Sequence, residues 1–230
     1  MFKDIMKSGI TIKSSGTTGT PKEIFQSPQK LKYANRVAVY AQEITADSSV
    51  YTVCKMAHAG GLLAQTLPAY SVGADVVIED FSAYRWCKEI YKYTHSHLTP
   101  NHCRAIIKTK RFNELELNGV WITCGSDMVT WDIIEKFVSK GCTFMCNWGM
   151  TEIGPITINT VFKTMEDVET YKFASIQKHS LLGDRFFCRH KIQDGELWVK
   201  GELCVYDDWY PTKDVVAMND YGHMYYHGRL

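Results

Sequence analysis

Two stretches of this chain gather side chains that can do chemistry. The first reads Ser14-Ser15-Gly16-Thr17-Thr18-Gly19-Thr20-Pro21-Lys22 and brings hydroxyls, two glycines and a lysine within nine positions. Hydroxyls donate hydrogen bonds without bulk. Gly16 and Gly19 let backbone N–H groups close on a ligand, and Lys22 adds a compact positive charge. Together they suit a polyphosphate. The spacing differs from the common phosphate loop, which places four residues before a Gly-Lys pair followed by Ser or Thr. Pro21 lacks an N–H, which argues against a helix interior beginning there. The same composition also builds ordinary solvated turns.

The second stretch is Asn147-Trp148-Gly149-Met150-Thr151-Glu152-Ile153-Gly154-Pro155. A flat indole face suits a purine, and a hard carboxylate suits magnesium that arrives on phosphate. Taken as residues alone, Thr151 and Glu152 could equally satisfy backbone donors in a capped turn. A third cluster, Thr94 to Cys103, holds three histidines and a cysteine. Those are zinc-ligand types, but the spacing fits no compact zinc signature, and no metal is expected there. His58 follows a strand, where a lone histidine is most often structural.

The elements that must position these groups alternate at short intervals. Ser27-Pro28 reads as a helix start, and Leu31, Ala34, Val37, Ala38 and Ala41 share one face of a helix over Gln29 to Thr45. Strands are predicted at Tyr51–Met56, Ala74–Glu79, Val120–Cys124 and Thr143–Cys146. Helices are predicted from the segment after His58 to just before Gly73, over Ser82–Thr94, and over Thr130–Ser139. Such alternation predicts an α/β fold, a mainly parallel sheet covered by helices. From Gly183 the pattern turns to β, with strands at Gly195–Gly201 and Glu202–Tyr206. The expected division is an α/β core over 1–180 and a small β-rich subdomain over 181–230. In an open α/β sheet ligands bind at the carboxyl ends of strands, and Gly125-Ser126 and Asn147-Trp148-Gly149 fall at two such ends.

Composition bounds the function class. The chain has 230 residues, 45% of them hydrophobic and 13% aromatic, enough for one well-filled domain with a small appendage. Lys+Arg of 26 against Asp+Glu of 25 leaves a net charge of +1, so no global field recruits nucleic acid or an acidic membrane. No run approaches the ~20 apolar residues of a membrane span. Eight cysteines without a C-x-x-C, and no secretory leader, predict reduced thiols in the cytoplasm.

The string Ser14 to Lys22 closely resembles the phosphate-binding signature of the adenylate-forming, AMP-producing synthetases, which include acyl- and aryl-CoA ligases. The string Trp148 to Glu152 resembles that superfamily's aromatic-Gly-x-Thr-Glu motif. The resemblance implies that Ser14, Ser15, Gly16, Thr17, Thr18, Gly19, Thr20 and Lys22 hold the phosphates. It implies that Trp148 stacks on adenine beside Asn147, Gly149 and Met150, that Thr151 contacts the α-phosphate, and that Glu152 binds Mg²⁺. Gly125-Ser126 resembles the family's Gly-Gly-Ala turn along the adenine, with Cys124 in place of one glycine. His58-Ala59-Gly60-Gly61 resembles its H-x-x-G segment, which implies that His58 and Gly61 line the acid pocket. Thr212-Lys213-Asp214 resembles a Thr-Gly-Asp motif, with Lys213 in place of the glycine, and Tyr226-His227-Gly228-Arg229 resembles the Gly-Arg segment that follows. Asp214 then grips the ribose hydroxyls, with Tyr226 nearby, and Arg229 contacts ribose or phosphate.

The resemblance runs from Ser14 to Arg229. The family's N-terminal part, and the mobile C-terminal domain with its bridging lysine, have no counterpart in it. The expected activity is therefore formation of an acyl- or aryl-adenylate from ATP and a small-molecule carboxylate, with Lys22, Thr151, Glu152 and Arg229 as the catalytic set. Thioester formation with CoA is not expected of this chain alone. Transfer would go to an acceptor protein, or need a separate chain carrying the C-terminal domain. The alternatives are a non-catalytic ATP- or AMP-binding remnant and one subunit of a split ligase. Exposed apolar surface left by the missing part makes a homodimer reasonable.

Overall fold

The computed structural model describes residues 1–14, 22–175 and 180–230. Its largest element is a seven-stranded sheet ordered β10-β8-β7-β6-β5-β3-β4. Five strands run parallel: β3 (Ser49–Thr52), β4 (Asp75–Ile78), β5 (His95–Leu98), β6 (Trp121–Gly125) and β7 (Thr143–Met150). Antiparallel β8 (Gly154–Phe162) and β10 (Arg185–Phe186) extend one edge. A separate hairpin pairs β1 (Ile10–Ser14) with β2 (Lys22–Gln26). A five-stranded antiparallel sheet follows, ordered β11-β12-β13-β14-β9, from β9 (Ser180–Gly183), β11 (Arg189–Gln193), β12 (Glu196–Lys200), β13 (Tyr210–Met218) and β14 (Met224–Arg229). The α/β fold class with a mainly parallel sheet and a β-rich C-terminal part is as expected.

Helices cover both faces of the large sheet, and strand pleat decides which residues meet which. On one face Ile122, Cys124, Phe144 and Phe162 pack with helices Ala83–Glu89, Pro100–Ile107, Trp131–Val138 and Met165–Phe173. On the other, Trp121, Met145 and Ile156 meet the helix Pro28–Ala41 through Ala34, Val37, Ala38 and Ala41. That helix begins as expected, with the Ser27 hydroxyl accepting from Lys30 N–H at 3.3 Å. It stops four residues short of Thr45, because Glu43 takes a left-handed φ of 54°. The segment after His58 coils as Ala59–Gly61, a π-helical turn Leu62–Thr66, and Leu67–Ser71.

Three strand expectations change as well. The strand expected over Tyr51–Met56 is β3, which covers Ser49–Thr52. The strand expected to end at Cys146 continues to Met150, because antiparallel β8 extends its ladder to Met150↔Gly154. Asn147, Trp148 and Gly149 thus lie inside a strand rather than beyond its end. Glu202–Tyr206, expected as a strand, is a run of turns and bends that buries Leu203 and Cys204 against two different apolar clusters. No helix among the described residues is long and apolar enough to cross a membrane.

Candidate active site

Thr151, Glu152 and Ile153 form the three-residue turn between β7 and β8. The turn is narrow because Gly149 has no side chain; a Cβ there would lie 2.5 Å from the carbonyl oxygens of Gly154 and Pro155. The Glu152 carbonyl accepts from Val205 N–H at 2.9 Å, and Thr157 Oγ1 donates to the carbonyls of Ile153 and Gly154. The backbone is thus fastened from inside the protein. The Glu152 side chain exposes only 6% of its surface, yet its carboxylate has no hydrogen bond or ion pair among the described residues. It is therefore not the satisfied cap that the residues alone allowed.

A cavity of about 420 Å³ opens in front of this turn. Thr151 and Glu152 line it, with Arg229 from the end of β14, as do His58 and Gly61. Gly61 is another forced position, since a Cβ would meet the Lys55 carbonyl oxygen at 2.1 Å. His58 is exposed at the N-terminus of the short helix and lines the same cavity.

A second cavity of about 220 Å³ adjoins the first and shares Ser126, Asn147, Gly149, Met150 and Arg229 with it. Trp148, Asp214 and Tyr226 line the remainder, with Leu181 and Leu182. The indole Nε1–H of Trp148 donates to Asp214 Oδ2 at 3.0 Å, and Arg229 Nε lies 3.7 Å from Asp214 Oδ1. One carboxylate thus ties the edge of an aromatic plane to a guanidinium. Burial pushes the Asp214 carboxyl above its ordinary range, against the opposing pull of Trp148 and Arg229. The neighbouring Lys213 does not compete for it. Its side chain points to solvent, while its backbone holds a left-handed φ of 63° and its N–H donates to Glu196 Oε1 at 2.8 Å. That conformation is the physical reason a glycine suits this position. Ser126 likewise has φ 74°, at the mouth shared by both cavities.

The residues 15–21, which include Ser15, Gly16, Thr17, Thr18, Gly19 and Thr20, lie outside the described residues, as does the side chain of Ser14. What is described is their anchorage. Ser14 and Lys22 are directly paired across the β1–β2 hairpin, so both ends of the Ser/Thr/Gly stretch start from one place. Lys22 is exposed and opens a strand, which agrees with Pro21 excluding a helix there. Neither Lys22 nor Gly125 lines the two cavities.

No local pattern marks Gln26 as part of the site. This residue of β2 is 3% exposed, and its Nε2 donates to the Thr151 carbonyl at 2.7 Å, across 125 positions of chain. It fastens the hairpin bearing the Ser/Thr/Gly stretch to the turn bearing Thr151 and Glu152. Nor was the use of the histidine cluster foreseen. His95 bonds Gln42 and Thr94, His97 bonds Gly60, and the His102 ring accepts from Thr99 N–H. His97 and His102 line the larger cavity.

A family model described as AMP-binding enzyme matches residues 11–209. The chain is 32% identical over 147 residues to an indoleacetate–CoA ligase of Aromatoleum aromaticum, covering 62% of this chain and 29% of that protein. It is 24% identical over 146 residues to a feruloyl-CoA synthase of an Amycolatopsis species, covering 62% of this chain and 30% of that one. The chain thus spans under a third of the length of these relatives. Among solved structures, the o-succinylbenzoate coenzyme A synthetase of Bacillus subtilis, in complex with ATP and magnesium ion, superposes with a TM-score of 0.78. That likeness is at 20% identity over 95% of this chain and 49% of that one, and it concerns the fold.

Proposed function

The chain belongs to the AMP-binding enzyme family, and on that premise we propose that it activates a carboxylic acid with ATP, forming an acyl- or aryl-adenylate and pyrophosphate. The observation that carries this reading is the pair of adjoining cavities. One is lined by His58, Gly61, Thr151, Glu152 and Arg229, and the second by Trp148, Asp214 and Arg229. An acid fits the first and a nucleoside the second, with the reacting phosphate between them.

In this reading adenine lies against the Trp148 face, whose edge is already held by Asp214. The Asp214 carboxylate keeps acceptor capacity beyond the Trp148 bond, which suits ribose hydroxyls. The substrate carboxylate is ionised at neutral pH and needs no general base. Its oxygen forms a bond to the α-phosphorus, the bond to the pyrophosphate oxygen breaks, and the electron pair leaves on pyrophosphate. The chain's contribution is alignment and charge. Thr151 bonds an α-phosphate oxygen, while Arg229, and Lys22 at the root of the Ser/Thr/Gly stretch, offset the developing negative charge.

Among the described residues no group of three or more His, Cys, Asp or Glu side chains could hold a metal ion. The Glu152 carboxylate, without a partner among the described residues, fits a magnesium that is delivered on the triphosphate and takes one protein ligand. Bound there, the ion would supply further neutralisation of phosphate charge. The two relatives' named acids, indoleacetate and ferulate, support an aryl acid as substrate. Their names also support CoA as an eventual acceptor. Eight free thiols suit a reducing compartment such as the cytoplasm.

The test is ATP–pyrophosphate exchange over a panel of aryl, fatty and amino acids. Exchange should depend on an added acid, be strongest for an aryl acid, and fall by roughly 10²- to 10³-fold in Glu152→Gln and Lys22→Ala, the scale for removing one oriented charge-stabilising group. ATP binding by the purified chain without exchange for any acid would overturn the enzymatic reading in favour of a nucleotide-binding module.

A further inference from the structure

Two histidines of β5 point to the same face of the sheet, since His95 and His97 are two positions apart. Their fates differ. His95 uses both ring nitrogens, with Nδ1 2.8 Å from Thr94 Oγ1 and Nε2 2.9 Å from the Gln42 carbonyl. His97 uses one. Its Nδ1 lies 2.6 Å from the Gly60 carbonyl, which can only accept, so the ring proton sits on Nδ1. Nε2 is then a lone-pair acceptor, and it is buried with no partner among the described residues. The ring exposes only 4% of its surface, and the pull of burial lowers its pKa to about 4, so at neutral pH no proton fills the vacancy.

This ring lines the larger cavity, as do His58 and Gly61, and not the smaller one that Asp214 lines. It is seated there by Gly60, where a Cβ would come within 3.1 Å of His97 Cε1. The same lining holds the small residues Cys54, Ala59 and Ala64 and the titratable Lys55, His58 and His102. Burial pushes the Cys54 thiol up to about 12, and its S–H faces the His97 carbonyl at 3.2 Å, so it offers the ring neither charge nor donor. Buried polar atoms are almost always paired. A lone acceptor on a ring that lines a cavity suits a ligand that brings a donor.

We propose that His97 is a specificity-determining residue whose Nε2 accepts a hydrogen bond from the acid, so that the preferred substrates are aryl acids carrying a ring N–H or hydroxyl. This rests on the acid-activating reading of the same cavity and narrows it to a substrate class.

The experiment uses isosteric pairs that differ only in the donor: indole-3-acetate against benzofuran-3-acetate, and 4-hydroxyphenylacetate against 4-fluorophenylacetate. Exchange rates are compared within each pair, and in parallel the His97 ¹⁵Nε2 resonance is followed while each acid is titrated without ATP. In at least one pair the donor-bearing acid should be favoured by roughly 10- to 100-fold in kcat/KM, the scale for leaving a buried acceptor unpaired. That ratio should collapse towards one in His97→Phe, and only the donor-bearing acid should move the Nε2 resonance away from its free-acceptor position. Equal use of both members of both pairs, with an unmoved Nε2 resonance, would overturn the proposal while leaving acid activation intact. Conversely, absence of exchange with every acid, together with a donor-dependent Nε2 shift, would retain this contact and overturn the reaction. The resonance does not depend on the variant folding.

Discussion

The two ends of the site are prepared in opposite ways. At the Asp214 end the polar groups already satisfy one another: an indole N–H and a guanidinium converge on one buried carboxylate. At the His97 end a buried ring nitrogen has no partner among the described residues. Mutual pairing fixes orientation before a ligand arrives and suits a ligand that is always the same, because little reorganisation remains at binding. An open valence costs stability until a complementary group fills it, and so discriminates among ligands. The difference is what the proposed function calls for: an invariant nucleotide at the first end and a selected acid at the second. Glu152 sits at a turn whose carbonyls are bonded from within the chain and whose carboxylate has no partner among the described residues.

The strongest way to break this comparison is to unpair the prepared end. Asp214→Asn keeps the shape but removes the charge that holds Arg229 and leaves a poorer acceptor. KM for ATP should rise about 10- to 100-fold, the range for hydrogen bonds to a charged partner, with the acid preference unchanged. The pH profile sharpens the test. Burial raises the Asp214 pKa in the folded chain above the ordinary 3.8. The folded state therefore takes the proton more readily than the unfolded one. Between the two values, stability falls as pH rises, so this carboxylate is a cost to folding at neutral pH. Nucleotide affinity has the opposite sense, because the ionised form is the acceptor. KM for ATP should climb as pH falls, with a midpoint above that of an ordinary aspartate, and this limb should be absent from Asp214→Asn. A wild-type KM that is flat through the acidic range would mean the carboxylate does not contact the nucleotide.

What the sequence made legible, and what it hid, divides along the same lines. Strands buried on both faces, such as Trp121–Gly125, read as continuous apolar runs, and Ser27-Pro28 announced its helix by capping chemistry. Both motif strings were legible because each is contiguous. The extension of β7 was hidden because Gly149 weakens a local strand pattern, and only the partner β8 restores it. The helix Met165–Phe173 was hidden because it buries Val168 alone and so shows no apolar stripe, although Thr164 and Asp167 form its capping box. Leu203 and Cys204 mimic strand alternation with Val205 and Tyr206, but adjacent residues are both buried in a bend. Neither Gln26 nor the unequal partners of His95 and His97 could be read locally, since each depends on a contact with distant chain.

Gln26 gives the intermediate prediction. Its amide holds the hairpin to the Thr151 carbonyl in a site 3% exposed. Gln26→Ala should lose about 1 kcal/mol of stability, the net worth of such a bond. It should also lower exchange several-fold through kcat, because the Ser/Thr/Gly stretch and Glu152 would no longer share one frame. If only stability falls and kcat holds, the tether is structural and the two motif strings act independently.

The smallest effect is expected at Lys213, and it separates strain from function. This residue adopts φ 63° beside the buried Asp214, with its side chain in solvent and no ion pair among the described residues. Strain at a site is often tied to its chemistry. Here the backbone bonds, Lys213 N–H to Glu196 and Leu230 N–H to the Lys213 carbonyl, suffice to hold the conformation. Lys213→Gly relieves the steric conflict of a Cβ in the left-handed region and should stabilise the chain by about 1 kcal/mol, the lower end of that penalty. KM for ATP should stay the same, because the Asp214 contacts do not pass through this side chain. A thermal melt together with a KM measurement decides between the two. A gain in melting temperature at constant KM places the strain in the backbone alone. A changed KM would mean that the lysine charge reaches the nucleotide, and the Asp214 end would then be less completely prepared than its pairing implies.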